Sequence, residues 1–218
     1  RLRAHGYCMT SNQLRKILDQ NWGAGWLGRF SHFEARPFAA ASIGQVHKAV
    51  TKEGQTLAIK VQFPNIKDTI SSDIKNLHKF IKAGGFLPPG FDLDHYLEVC
   101  KAQLMQETDY EREAEFLQQF NKISDSFTDI KVPEYIEEFS TSSILCMSYA
   151  PGWDIDQPDL FSYSEREKIA KLMVEWTLEE IFDFQLLQSD PNFANYRFDT
   201  EHSQLILLDF GATVQIPY

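Results

Sequence analysis

Ser189-Asp190-Pro191-Asn192-Phe193-Ala194-Asn195 and, further on, Leu207-Leu208-Asp209-Phe210-Gly211-Ala212 are the stretches on which the reading of the fold turns. Leu205 to Leu208 are four apolar residues in a row, a buried strand in length and type, and they deliver the Asp209 carboxylate to an exposed tip. Nineteen residues before Asp209, Asp190 begins a loop in which Asn195 stands five positions on, and the loop leads into a short hairpin. Asp-Phe-Gly by itself is weak, because an aspartate at a strand end is usually a turn residue. Preceded by Asp190 and Asn195 in this order, it acquires a chemistry. Phosphoryl transfer asks little covalent work of a protein: a carboxylate and an amide oxygen on Mg²⁺, a lysine on the phosphates and a positioned acceptor. Lys60 supplies the cation. It lies in Ala58-Ile59-Lys60-Val61, and a lysine inside an apolar strand needs a partner.

Working outward, Ile43 to Val50 and Thr56 to Val61 read as a hairpin around the turn Lys52-Glu53-Gly54, preceded by the run Ala39-Ala40-Ala41-Ser42. Before it, Gln13 to Trp22 has helical spacing with Ser11 as cap; after it, Ile66 to Ala83 is helical until the Gly84-Gly85 and Pro88-Pro89-Gly90 cluster. Asp92 to Lys122 reads as a long acidic helix, with Thr108 as the place where it would break. Two strands follow, Val132 to Phe139 and Ser143 to Tyr149, then a hinge at Ala150-Pro151-Gly152. Ser164 to Leu187 is expected to be a helix opened by a Ser164/Glu167 capping box.

Composition bounds the function. The 218 residues are 43% hydrophobic, 24% charged and 13% aromatic, which excludes disordered and low-complexity classes. A net charge of −10 argues against nucleic acid as a partner. Three cysteines, Cys8, Cys100 and Cys146, are too far apart for a C-x-x-C pair and odd in number, so a reducing compartment is expected. No apolar run reaches the ~18 residues of a membrane span. The chain starts at Arg1 without a signal-peptide core, and it reads as a piece of something longer.

Four strings make a resemblance specific: Pro37 to His47 (PFAAASIGQVH), Glu107 to Ala114 (ETDYEREA), Ser189 to Asn195 (SDPNFAN) and Leu207 to Ala212 (LLDFGA). The chain resembles the UbiB/AarF atypical kinase-like family, most of all its coenzyme Q (ubiquinone) biosynthesis branch. The resemblance implies an α+β, protein-kinase-like fold: a small lobe with an antiparallel sheet plus the start of a helical large lobe. The boundaries expected are a helical extension over 1–37, the small lobe with a helical insert over 38–150, and the start of the large lobe over 151–218. It further implies a Mg²⁺-dependent ATP-binding atypical kinase or ATPase supporting ubiquinone biosynthesis. Ala39, Ala40, Ala41 and Ser42 would form an alanine-rich nucleotide loop, Lys60 would contact the phosphates and pair with Glu113, and Glu107 and Asp109 would form the family's E-x-D element beside the nucleotide. Asp190 would be the catalytic-loop acid, with Asn195 and Asp209 as metal ligands. On a continuous helix, residues six apart point about 120° away from each other, so one of Glu107 and Glu113 should face Lys60, not both.

The partners implied are an adenine nucleotide, ubiquinone-biosynthesis proteins and a membrane surface or prenyl lipid. The place implied is the matrix side of the mitochondrial inner membrane, or the cytoplasmic face of a bacterial inner membrane. A non-catalytic nucleotide- or prenyl-lipid-binding scaffold and a conventional kinase remain as alternatives; the second lacks its glycine-rich loop and its H-R-D, here Gln188-Ser189-Asp190. Lys52-Glu53-Gly54-Gln55 spells the family's K-x-G-Q element but sits in the hairpin turn, so it reads as a chance match, and the true element is expected upstream. His47 and His78 read as packed or surface histidines. Trp22, Trp26, Trp153 and Trp176 read as core, the first two with a lipid contact as the second reading. Later helices are expected to cover the apolar faces of the 164–187 helix and the 205–208 strand, and without them the chain should be loosely packed.

Overall fold

A computed structural model describes residues 8–85, 87–88 and 90–217. Alternation of buried residues along β3 (Gly44–Thr51) and near-continuous burial along β4 (Thr56–Gln62) make these the centre of an antiparallel sheet. β6 (Ile144–Ser148) flanks β4, while β1 (Phe30–Phe33) and β2 (Ala39–Ala41) lie in succession along the outer edge of β3. The hairpin turn contains Lys52 to Gly54, as expected, with Lys52-Glu53-Gly54-Gln55 far along the strands from Lys60. Gly44 is required where it stands. A Cβ there would lie 2.3 Å from the Val61 carbonyl oxygen, so any side chain would push β3 off β4.

One face of this sheet packs on α1 (Ser11–Trp22) through Leu14, Ile17, Leu18, Trp26, Phe30, Ile59, Val61 and Phe139. The cap of α1 is Thr10, not Ser11: its hydroxyl accepts from the Gln13 amide, and the Gln13 side chain returns to the Thr10 amide. Trp22 donates Nε1–H to the Phe139 carbonyl at 3.0 Å and Trp26 to Asp19 at 2.9 Å, with both rings packed tilted or edge-on among Phe30, Phe33 and Phe139. They are packing residues, as expected. Trp153, by contrast, is exposed.

The other face meets α4 (Tyr110–Ser124), which buries Ala114, Leu117 and Phe120 in a cluster shared with Leu145, Met147, Trp176 and Phe210. The acidic segment is two helices. α3 (Leu93–Glu107) stops at Thr108, whose hydroxyl donates to the Met105 carbonyl, and Asp109 caps α4 by accepting from the Arg112 amide. α3 packs instead against α2 (Ile66–Gly84) as a helical hairpin.

The strand expected over Val132 to Phe139 does not form. Only β5 (Ile130–Lys131), a single Tyr135–Met147 bridge and a 3₁₀ turn at Glu137–Phe139 occur there, because Pro133 has no amide to give a ladder. β5 pairs in parallel with β10 (Gln204–Leu207), which continues antiparallel to β9 (Tyr196–Asp199) and thence to β7 (Trp153–Asp154). After the linker at Ala150 to Gly152, α5 spans Tyr163–Glu179, opened by a Ser162/Glu165 capping box rather than Ser164/Glu167. It ends well short of Leu187. A π-helical turn, Glu180–Phe184, and Gln185 at φ 57° carry the chain into β8 (Leu186–Gln188), which pairs with β11 (Thr213–Gln215). The α5 residues Val174 and Leu178, and Phe182 beyond it, are exposed, whereas the 205–207 strand is fully covered by the surrounding elements.

The linker is fastened to the second sheet. Gly152, at φ 101°, lies where a Cβ would meet the Phe198 carbonyl at 2.6 Å, and Arg197 donates to Asp154 at 2.9 Å and to the Ala150 carbonyl at 3.0 Å. The hairpin that follows Asn195 is thereby tied to the segment joining the two sheets.

Candidate active site

β4 aims Lys60 inward, and α4 and the end of β10 bring two carboxylates to it. Nζ of Lys60 donates to Glu113 Oε1 at 2.8 Å, Glu113 Oε2 at 3.1 Å and Asp209 Oδ2 at 3.0 Å. The Lys60 and Glu113 side chains are 8% and 1% exposed, so neither charge could be left alone there; Asp209, at 34%, is partly open to solvent. Burial pushes the Glu113 carboxyl up to about 7 against the pull of Lys60. Burial opposes the charge on Lys60 too, but Asp209 and Glu113 together outweigh it and hold the ammonium well above its usual range. Lys60 and the Gly211 amide, which donates to Asp209 Oδ1 at 3.0 Å, outweigh burial at Asp209 and hold its carboxyl below the ordinary range. When Glu113 is ionised the group carries one negative charge in excess, and Asp209 is its more exposed carboxylate.

The second half of the site is on the loop after β8. Asn195 Nδ2 donates to Asp190 Oδ2 at 2.9 Å, which fixes the amide so that its Oδ1 is the free end. The Leu208 amide donates to the Asn195 carbonyl at 2.9 Å, locking this loop beside the residue before Asp209. Among the described residues no cluster of three or more His, Cys, Asp or Glu is placed to hold a metal. An Asn oxygen and an Asp oxygen suit a hard ion such as Mg²⁺, which takes few protein ligands and completes its shell with phosphate and water oxygens. The donor set fits that ion.

The ABC1 atypical kinase-like domain matches residues 1–218 of this chain. The chain belongs to the ABC1 atypical kinase-like family. Across 217 residues it is 39% identical to "Atypical kinase coq-8, mitochondrial" of Caenorhabditis elegans, covering 98% of this chain and 29% of that protein. It is 36% identical over 217 residues to "Atypical kinase COQ8B, mitochondrial" of Danio rerio, covering 100% of this chain and 35% of the relative. The chain therefore spans about a third of the length of these curated relatives. The solved structure of Rv3197 from Mycobacterium tuberculosis in complex with erythromycin superposes with a TM-score of 0.81 at 26% identity, over 96% of this chain and 53% of that one. The ABC1 fold here is the α+β, protein-kinase-like one expected from the motifs.

The remaining positions of the ABC1 chain divide in two. Ala39 to Ala41 form β2, joined to β3 by a two-residue turn at Ser42 and Ile43, with Ala39, Ala40 and Ser42 exposed. Glu107 and Asp109 do not join Lys60. Asp109 is the α4 cap, and Glu107 Oε2 is buried without a hydrogen-bond partner among the described residues. One glutamate faces the lysine, but for a different reason than helical angle, since the two belong to different helices.

Sequence reasoning missed three residues. Arg112 donates to the Gly211 carbonyl at 2.8 Å and to the Thr213 carbonyl, clamping α4 onto the turn after Asp209. Gln188 Nε2 donates to the Asp209 carbonyl at 3.1 Å, and its Oε1 accepts from the Tyr196 hydroxyl at 3.2 Å. Glu180, almost fully buried, accepts from the Gln188 amide and from Trp176. A glutamate inside the apolar run around Ile181 was the available signal for the last. Gln188 stood only as the residue in place of the His of H-R-D, and nothing local marked Arg112, whose partners are distant backbone carbonyls.

Proposed function

We propose that this chain is the nucleotide-binding part of a Mg²⁺-dependent ABC1 atypical kinase or ATPase that supports coenzyme Q biosynthesis. The observation that carries the reading is the buried Lys60–Glu113–Asp209 group with Asn195 and Asp190 beside it. Lys60, oriented by Glu113, would meet the α/β-phosphates, and Asn195 and Asp209 would hold Mg²⁺, which neutralises charge on the phosphoryl group being transferred. Asp190 would orient the acceptor, and the Ala39 to Ser42 turn would cover the phosphates. The E-x-D pair, Glu107 and Asp109, would stand at the rim. We take 38–150 and 151–218 as the two lobes that enclose the nucleotide, with 1–37 as an extension packed on the first. The names of the relatives favour the mitochondrion, and we place the protein on the matrix side of the inner membrane with ubiquinone-biosynthesis proteins and a prenyl lipid or membrane surface as partners. No helix among the described residues is long and apolar enough to cross a membrane.

Calorimetry on the full-length protein tests this. ATP binding should weaken at least tenfold in EDTA or in Asp209→Asn, while Asp190→Asn should bind within a fewfold of wild type and lose turnover. Binding indifferent to metal and to Asp209→Asn would overturn the site. Equal hydrolysis in Asp190→Asn and wild type would favour a scaffold.

A further inference from the structure

Glu180 is buried and takes no part in the chemistry just assigned. It stands at the start of the π-helical turn, and it is buried where Phe182 and Asp183 on the same turn are exposed. Its Oε1 accepts from Trp176 Nε1 at 2.7 Å and its Oε2 from the Gln188 amide at 3.2 Å. Gln188 in turn bridges the two halves of the site: Nε2 donates to the Asp209 carbonyl, and Oε1 accepts from Tyr196, the neighbour of Asn195. Both of its side-chain groups are thus spent on holding the two expected metal ligands in register, and its own backbone is held by Glu180.

We infer that Glu180 is a positioning residue for the metal site, acting through Gln188 on the spacing of Asp209 and Asn195. This rests on the Mg²⁺–nucleotide reading above. A carboxylate is needed because both of its neighbours are N–H donors. A glutamine there, in either amide orientation, sets an NH₂ against one of them. The consequence is a Gln188 that loses its anchor, and two ligands whose separation then fluctuates. Metal affinity is sensitive to such shifts because Mg²⁺ tolerates little departure from octahedral geometry.

The test is a cycle of Glu180→Gln, Gln188→Met and the double variant in the full-length protein, with Leu14→Ala, in the separate hydrophobic cluster under α1, as a core control. The readout is the Mg²⁺ concentration giving half-maximal ATP binding, by calorimetry and by thermal shift. E180Q and Q188M should each raise that midpoint about tenfold, the double variant should go no further than Q188M, and ATP binding in EDTA should be unchanged. L14A should lower Tm while leaving the midpoint at the wild-type value. If E180Q does not fold, Glu180→Asp, which keeps an acceptor-only group but shortens its reach, takes its place in the cycle. A midpoint within twofold of wild type in the Glu180 variant, or effects of the two residues that multiply independently, would overturn the inference alone. A wild-type protein blind to Mg²⁺ would overturn the nucleotide reading and this inference with it.

Discussion

Replacing Lys60 by Met should cost this protein stability before it costs it anything else. Met fills nearly the same volume but leaves Glu113, 1% exposed, facing Asp209 with no cation between them. Removing one partner of a buried ion pair typically costs about 3–5 kcal/mol, against a domain stability of about 5–15 kcal/mol. With an m-value on the order of 2 kcal/mol per molar, the urea midpoint should fall by roughly 1.5–2.5 M. The pH dependence identifies the cause. In wild type, Lys60 holds Asp209 below its ordinary range, so that carboxylate contributes stability at neutral pH that is lost only on acidification. In Lys60→Met, the buried Glu113 carboxylate faces Asp209 with no cation between them, so stability should be greatest in acid and lost as pH rises. The deficit relative to wild type should therefore be largest at pH 8 and shrink to about half near pH 5, where one carboxylate takes up a proton. Urea melts at the two pH values settle it. A variant as stable as wild type at pH 8, or one whose deficit is the same at pH 5, would refute the claim that the triad is a charge-balanced buried unit.

Gly44→Ala should lower stability by about 1–3 kcal/mol, because its Cβ would press on the Val61 backbone rather than on a side chain that can swing away; calorimetric Tm checks this. Burial pushes Glu180 up to about 7, so wild type should lose up to about 3 kcal/mol as pH rises from about 4.5 to 7, and Glu180→Gln should flatten that slope in pH-dependent melts. Ala40→Gly frees φ in the exposed strand before the Ser42 turn and should change the ratio of ATP to ADP affinities severalfold; an unchanged ratio with the fold intact would mean that the turn does not touch phosphate.

What could be seen in advance of the structure depended on the range of the interaction that decides each element. The Gly44–Thr51 and Thr56–Gln62 hairpin and the 196–199/204–207 hairpin follow from alternation and an intervening turn, which are local, and both formed within a residue or two of expectation. Caps were misplaced wherever two serines or threonines compete. Thr10 and Ser11 are equally able caps by type, as are Ser162 and Ser164, and the choice goes to the residue whose third successor has a side chain that returns to its amide: Gln13 in one case, Glu165 in the other. Glu167 is three residues after Ser164 as well, so the pattern alone was degenerate. The end of α5 was hidden because Ile181, Phe184, Leu186 and Leu187 continue an apolar pattern that a helix or a strand satisfies equally. Pairing of Leu186 to Gln188 with Thr213 to Gln215 made the choice, and that is a contact between residues far apart in sequence.

The site divides along the same line. Lys60 was nameable as a lysine inside an otherwise apolar strand, Asp190, Asn195 and Asp209 by their order and spacing, and Glu113 only through the family resemblance. The three that were missed do their work through backbone: Arg112 on the carbonyls of Gly211 and Thr213, Gln188 on the carbonyl of Asp209, Glu180 on the amide of Gln188. Every residue offers a carbonyl and nearly every residue an amide, so a sequence carries no mark of which one a distant side chain will take. The order of events in evolution and design need not follow from this, but the order of tolerance does. A substitution at Gly211, Ala212 or Thr213 that preserves the backbone path leaves the Arg112 clamp in place, whereas a proline at Thr213, whose amide donates to the Phe210 carbonyl at 3.1 Å, would release the turn that presents Asp209 while leaving every expected site residue in the sequence.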